Sequence, residues 1–241
     1  MKISQRLSQI DNMINNHYDH IWDCCCDHGL LGARLLQRGA AGTIHFVDVV
    51  EELMGDLEKK LTRFFPSYQS TDDTSSLDEA QMSHWQVHCI DVAHLPISDF
   101  DDCESHLIII AGVGGELLIE LISSIMTNYP SKHFEFLLCP VHHNYKLRQH
   151  LSQLKLGLVN ECLIQENKRF YEIMHLSTDS EQAIVNVGSI MWNLSQDADK
   201  QYLHKTILHY QRMQKSAGSS TDVDMLAQII DDYRALEKSI K

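Results

Sequence analysis

Apolar residues recur along this chain with two periods, and the alternation between them maps its elements. Ile3, Leu7, Ile10 and Ile14 stand four, three and four residues apart, which predicts an amphipathic helix over residues 3–14. His20–Cys24 follows as a short strand, Leu30–Gln37 as a helix and Thr43–Asp48 as a second strand. Leu53, Leu57, Leu61 and Phe64 share one side of a helix over Glu51–Phe64. Pro66–Ser83 is polar and rich in Ser, Thr and Asp, as a surface loop or insertion would be. Trp85–Ile90 is expected as the third strand. His106–Ala111 is an unbroken apolar run, the pattern of a strand covered on both faces. A helix over Glu116–Met126, a strand over Phe134–Cys139 and a helix over Asn144–Leu154 come next. Val159–Ile164 and Phe170–Leu176 are read as an antiparallel pair joined by a polar turn.

Strand and helix in alternation, with a hairpin last, predict an α/β fold. Its centre would be a doubly wound, Rossmann-like sheet with a mostly parallel core. After about Ser177 the pattern changes. Residues 198–216 and 222–240, separated by the breaker SAGSST, predict a C-terminal helical hairpin, coiled-coil-like in pattern. The expected division is therefore a sheet domain over residues 1–176 and a helical hairpin over 177–241.

Composition narrows the function. The chain carries 33 acidic and 20 basic residues, a net charge of −13, which counts against a large phosphate-gripping surface. Local basic groupings exist at Lys59, Lys60 and Arg63, at Lys146 and Arg148, and at Lys168 and Arg169; such groupings are usually solvated faces. No stretch approaches about 20 apolar residues, so no membrane span is expected. The opening residues carry no apolar signal core, and seven cysteines are an odd number for a disulfide framework. A reducing, cytoplasmic location is the expectation.

The stretch HIWDCCCDHGLLG, His20 to Gly32, carries the chemical question. Zinc would need converging ligands, but adjacent strand cysteines point to opposite faces, no second ligand pair follows, and the fifteen histidines are scattered. A redox pair would need C-x-x-C spacing. No metal is expected, and the cysteines read as small apolar residues. The position is more telling, because the loop ends the first strand, where such sheets bind nucleotides. Against the pattern acidic-x-Gly-x-Gly-x-Gly the chain reads Asp23-x-Cys25-x-Asp27-x-Gly29, keeping only the last glycine. Asp48 ends the second strand, where an acid can accept from a ribose diol. Asp91 follows the third, where an acid can accept from an adenine amino group. Ala111-Gly112-Val113-Gly114-Gly115 ends the fourth, where small residues admit a ligand close to the backbone. No phosphate-cradling Gly-Lys loop is present. An acid-lined crevice suits S-adenosyl-L-methionine, which carries a sulfonium and an ammonium and no phosphate. Asp27 as the N-cap of the following helix is the competing structural reading.

At this point the chain resembles the tRNA adenine-N1 methyltransferases that modify adenine 22, the TrmK-like family. SQRLSQI resembles the family's L-S-x-R-L opening, and DCCCDHGLLG stands where the family has D-I-G-S-D-H-x-x-L-P, with Asp23, Asp27 and His28 matching. IIIAGVGGELL is similar to I-V-I-A-G-M-G-G. LLCPVHHNYKLRQHL is similar to L-I-L-Q-P-N followed by L-R-x-x-L, and ENKRFYEIMHL to D-N-K-x-Y-E-I-M. Two departures stand out. Cys25 replaces a glycine, and Cys139-Pro140-Val141 replaces Gln-Pro-Asn, leaving His142, His143 or Asn144 to stand in for the asparagine.

The resemblance implies an S-adenosyl-L-methionine-dependent enzyme that methylates N1 of an adenine in tRNA. The cofactor-binding set expected is Asp23, Cys25, Asp27, His28, Gly29, Asp48, Val49, Asp91, Val92, Ala111 and Gly112. Asp23 and Asp27 would hold the methionine ammonium, Asp48 the ribose and Asp91 the adenine amino group. The catalytic set is Asp27, His28, Pro140 and His142, with Ala111–Gly115, Pro140 and His142 bordering the target base. Lys200, Lys205, Arg212 and Lys215 make the hairpin a candidate RNA contact, and loops near Lys146, Arg148, Lys168 and Arg169 are the alternative. A different substrate, protein or small molecule, and a non-catalytic RNA- or partner-binding module are the competing function classes. The sequence leaves the oligomeric state open, with a monomer as one option.

Overall fold

The computed structural model describes residues 3–66 and 84–238. Helix α1 spans Gln5–Met13, β1 Tyr18–Cys24, α2 Leu30–Gln37, β2 Ala41–Asp48, α3 Glu51–Phe64 and β3 His84–Cys89. Then come β4 His106–Ala111, α4 Gly115–Asn128, β5 Phe134–Cys139, α5 Asn144–Leu151, β6 Gly157–Glu166 and β7 Arg169–Ser177. Helices α6, Asp197–Ser216, and α7, Ser220–Lys238, complete the chain. All but the ends of the expected elements hold. The third strand stops at Cys89 rather than Ile90, and α5 stops at Leu151 rather than 154. The expected loop lies outside the described residues from residue 67 to 83.

Seven strands form one sheet in the order β3-β2-β1-β4-β5-β7-β6. The first five are mutually parallel; β7 runs antiparallel to β5 and β6 antiparallel to β7. The β6–β7 turn is Asn167-Lys168, both with positive φ (49° and 66°), as a tight two-residue hairpin requires. In β4 alternate residues feed the two faces. Ile108 and Ile110 pack with Leu118, Ile122 and Ile125 of α4 and Leu147 of α5. Leu107 and Ile109 pack with Ile10 of α1, Leu35 of α2 and Leu57 of α3. Burial on both faces is what makes HLIIIA apolar without interruption.

The register also assembles histidines that are far apart in the chain. His88 and His45 nitrogens lie 3.0 Å apart, as do those of His45 and His20, while the Trp22 indole N–H donates to His106 at 3.3 Å. His45 is fully buried, and burial pushes its pKa down to about 2; burial takes that of His106 to about 4. Beyond β7, Leu203, Ile207, Leu226, Ile229 and Tyr233 of the α6–α7 hairpin pack against Tyr145 of α5. Among the described residues no helix is long and apolar enough to cross a membrane.

Candidate active site at the carboxyl ends of the strands

The strand order reverses at β1 and β4, where a doubly wound sheet opens a crevice beyond the carboxyl ends of its strands. The loop leaving β1 occupies this crevice. Cys25, Asp27 and Gly29 all have left-handed backbone, with φ of 54°, 50° and 64°. Two of the three glycines of the nucleotide-loop pattern are gone, yet the alternating conformation they would permit is kept. It costs a non-glycine residue about 1–2 kcal/mol, and the surrounding bonds hold it. Cys26 N–H donates to the Val47 carbonyl at 3.2 Å, Gly29 N–H to the Cys26 carbonyl at 2.8 Å, and Asp27 N–H to Asp48 Oδ2 at 3.1 Å. Gly32, which sequence reasoning passed over, sets the depth of α2. A Cβ there would lie 2.4 Å from the Phe46 ring and 2.9 Å from Asp23 Oδ2.

The three cysteines divide between environments. Cys24 is buried in the layer under α4, Cys25 packs at its margin, and Cys26 packs against the opposite layer. Burial pushes the Cys25 thiol up to about 11 and raises the other two as well, so all three stay protonated at neutral pH. Asp27 is not a helix cap. The N-cap of α2 is Gly29, and the Asp27 side chain is exposed, as is His28 beside it.

The acids expected at the strand ends are there, in different states. Asp23 is buried and accepts from Gly32 N–H at 2.8 Å. Burial pushes its pKa up to about 7, with the charges of Asp27 and Asp48 adding and the Gly32 hydrogen bond opposing. Asp48 is buried and accepts from the Asp27 and Val50 amides at 3.1 and 3.2 Å, so it also ties the β1 and β2 loops together. Val49 next to it is 65% exposed, an open apolar wall. Asp91 is exposed and accepts from Ala93 N–H at 2.9 Å at the start of a single helical turn. The Val92 side chain is in the core, leaving only its backbone at the strand end.

Across β4 the two glycine-rich and histidine-rich loops are laced together. Gly112 N–H donates to the Cys139 carbonyl, Val141 N–H to the Val113 carbonyl and Gly115 N–H to the His142 carbonyl, each at 3.0 Å. The His142 ring lies on Gly114, where a Cβ would stand 2.3 Å from its Cε1. Pro140 is buried, and Val141, His142 and His143 are exposed. Ala111 is half-buried beneath the same lacing. The structure thus brings Asp27 to Asp48, and Ala111–Gly115 to Pro140–His142. Among the described residues no hydrogen bond joins the Asp27-His28 pair to His142.

One reading is narrowed and one needs correction. Asn144, a stand-in for the missing asparagine, is half-buried with its Nδ2 donating to the Tyr202 hydroxyl at 3.1 Å, which leaves only its buried Oδ1 without a partner. Arg148 is no surface contact for RNA. Its side chain is fully buried, with Glu161 and Glu172 each at 2.7 Å. Of the other cations, Lys146 pairs with Glu116 at 2.8 Å, and Lys205 of α6 sits over the Phe170 ring at 4.9 Å. The hairpin thus meets the sheet at Phe170, the residue after Arg169 in β7. Arg6, which sequence reasoning placed only in a helix motif, lies against Gly112.

Comparison with known proteins gives three findings. The model of a family described as a methyltransferase domain matches residues 3–174. No curated protein matches the sequence. Solved structures do resemble it over its whole length. TrmK of M. capricolum, in complex with S-adenosyl-homocysteine, superposes with a TM-score of 0.76 at 16% identity, covering 100% of both chains. Sp1610 of Streptococcus pneumoniae, described as a candidate tRNA (m1A22) methyltransferase and bound to S-adenosyl-L-methionine, gives 0.66 at 18% identity, covering 97% and 99%. The B. subtilis m1A22 tRNA methyltransferase TrmK gives 0.66 at 14%, covering 97% and 98%.

Proposed function

The chain belongs to the methyltransferase-domain family, and on that premise we propose that it is an S-adenosyl-L-methionine-dependent methyltransferase acting on N1 of an adenine, at position 22, in tRNA. The observation that carries this reading is the alternating left-handed backbone at Cys25, Asp27 and Gly29, set over an acid-lined crevice at the point where strand order reverses. The residues fit the cofactor. Asp23, short of charge when nothing cationic faces it, and exposed Asp27 suit an ammonium. Asp48 suits a ribose diol and Asp91 an adenine amino group. Val49 offers an apolar wall, and Cys25, His28, Gly29, Val92, Ala111 and Gly112 contribute the loop edges.

When bound, S-adenosyl-L-methionine supplies an electrophilic methyl carbon. Neutral adenine N1 carries a free lone pair, so no proton must be removed before it attacks. The protein's work is then placement and exclusion of water. The target base has to leave its stack to reach the crevice. The laced loops at Gly112–Gly115 and Pro140–His142 form the rigid wall it would meet, with His142 held at a fixed height by Gly114 and with Asp27 and His28 on the opposite rim. Residues 1–176 form the methyltransferase domain in this proposal. The hairpin of residues 177–241 supplies Lys205 to the RNA-facing surface with Lys168 and Arg169, in an otherwise acidic chain.

Two measurements test the reading. Calorimetry with S-adenosylhomocysteine asks whether the crevice binds the cofactor product. Mass spectrometry of nucleosides from tRNA incubated with the protein and S-adenosyl-L-methionine asks what is made. 1-Methyladenosine is the expected product; a cofactor-binding protein that leaves tRNA unmodified and methylates another substrate would overturn the tRNA assignment. Reversing the charges of Lys168, Arg169 and Lys205 should weaken tRNA binding and reduce its salt slope by roughly one per lost phosphate contact; an unchanged slope would move the RNA elsewhere on the surface.

A further inference from the structure

Arg6 is in an unusual position for a cation in so acidic a chain. It is half-buried on α1, and its Nε is buried with no hydrogen-bond partner. Among the described residues no carboxylate lies within ion-pair distance of it. Arg34 and Arg38, close by in the fold, both pair with Asp11. Glu166 accepts from the backbone N–H of Gln5, the residue beside Arg6. The Arg6 guanidinium instead lies over the Tyr171 ring, 5.0 Å from its centroid. That contact engages the face of the guanidinium and leaves its edge N–H groups to donate in plane.

Those groups point at one place. The two terminal nitrogens lie 3.7 and 3.8 Å from where a Cβ on Gly112 would stand. Gly112 has φ of 92° and follows the last residue of β4, the strand that pairs with β1 at Cys24↔Ile110. The absent side chain at Gly112 thus leaves a gap with a guanidinium fork on one side, next to the end of β1 and the loop after it, which carry Asp23 and Asp27. A half-buried cation is costly unless something anionic meets it. A planar fork selects a planar oxyanion.

We propose that Arg6 binds the α-carboxylate at the methionine end of the cofactor. The proposal rests on the cofactor reading above and deepens it. The amino-acid end is a zwitterion, and each charge needs its own counterpart. The acids at the end of β1 and in the loop after it meet the ammonium, and Arg6 meets the carboxylate across Gly112. Arg6 is a binding residue in this account and takes no part in bond making.

The test compares two ligands that differ only in this feature. S-Adenosylhomocysteine carries the amino-acid end, and 5′-methylthioadenosine keeps the thioadenosine and lacks it. Calorimetry is run on the full chain, on Arg6→Gln and on Arg6→Lys, with melting curves to establish that each variant is folded. Arg6→Gln should weaken S-adenosylhomocysteine by about 10- to 100-fold, the range of a charge-assisted hydrogen-bonded pair, and change 5′-methylthioadenosine by less than about twofold. Arg6→Lys, a point charge without the fork, should fall between. Equal weakening of both ligands would make Arg6 a support of the loop and overturn the assignment. Unchanged S-adenosylhomocysteine affinity with weaker tRNA binding would hand Arg6 to an RNA phosphate and overturn it too. If the unsubstituted protein binds neither ligand, the cofactor reading itself has failed.

Discussion

Replacing Arg148 by methionine should be among the most destabilising changes this fold can receive. The guanidinium has no exposed surface, and neither do the side chains of Glu161 and Glu172 that flank it at 2.7 Å. Its Nη1 also donates to the Val185 carbonyl at 3.3 Å. Glu161 accepts further from the Ser189 and Ile190 amides, at 2.5 and 2.9 Å, and Glu172 from the Tyr202 hydroxyl at 2.5 Å. Burial pushes the Glu161 carboxyl up, but the Arg148 charge and the Ser189 donors outweigh it and hold it below the usual range. One cation therefore joins α5, β6, β7, the segment before α6 and α6 itself. Methionine matches the volume and removes the charge, leaving two ionised carboxylates buried against each other. Loss of one partner of a buried pair costs about 3–5 kcal/mol, a large share of the roughly 5–15 kcal/mol that holds a domain folded. Urea unfolding followed by tryptophan fluorescence measures it. The triple variant Arg148→Met, Glu161→Gln, Glu172→Gln leaves no uncompensated charge and should recover most of the loss. The single variant should also regain stability as pH falls, because protonation removes the stranded charges. A single variant within about 1 kcal/mol of the parent, folded but weaker in tRNA binding, would refute the reasoning and return Arg148 to the surface.

The remaining predictions concern the crevice and the sheet beneath it. Cys25→Gly should raise stability by about 0.5–1 kcal/mol, since left-handed strain of about 1–2 kcal/mol is relieved and the extra freedom of an unfolded glycine takes back part; an unchanged or lower melting temperature would mean Cys25 is not strained. With its carboxyl near 7, Asp23 is about half protonated at pH 7. A cationic ligand end beside it should release about half a proton there and almost none at pH 9, read by calorimetry in buffers of different ionisation enthalpy; no buffer dependence at pH 7 would remove Asp23 from the ammonium site. His45 is held neutral with a pKa near 2, while an unfolded histidine titrates near 6.5. Its contribution is complete above about pH 6.5 and is lost as pH falls, by about 2 kcal/mol between pH 7 and 5. The parent should lose that much more stability over this interval than His45→Phe; parallel pH profiles would show that the buried ring does not couple folding to protons.

Periodicity carried the fold because the forces behind it are local to each element. A strand buried on both faces has to be apolar at every position, and a helix on one face of a sheet has to repeat near every third or fourth residue. HLIIIA and the Leu53-Leu57-Leu61 series could be placed from the chain alone for that reason. Alternation of the elements then implied the parallel sheet, and acids at three successive strand ends, with glycines at the fourth, implied the crevice. What stayed illegible depended on neighbours distant in sequence. The pattern Asp23-x-Cys25-x-Asp27-x-Gly29 looks like a lost glycine loop, because residue type predicts left-handed backbone only when glycine is present. The bonds from Val47 and Asp48 that impose that backbone come from another strand. Arg148 and Arg6 make the same point with one residue type. In the sequence both are cations on helices. In the fold one is enclosed by two carboxylates from β6 and β7, and the other is set without any such partner against Gly112, more than a hundred residues away in the chain. Burial and charge compensation belong to the space a side chain occupies. The sequence by itself determined which segments build the sheet and which strand ends carry acids, and only tertiary packing decided which charges are spent inside the fold and which are left to meet a ligand.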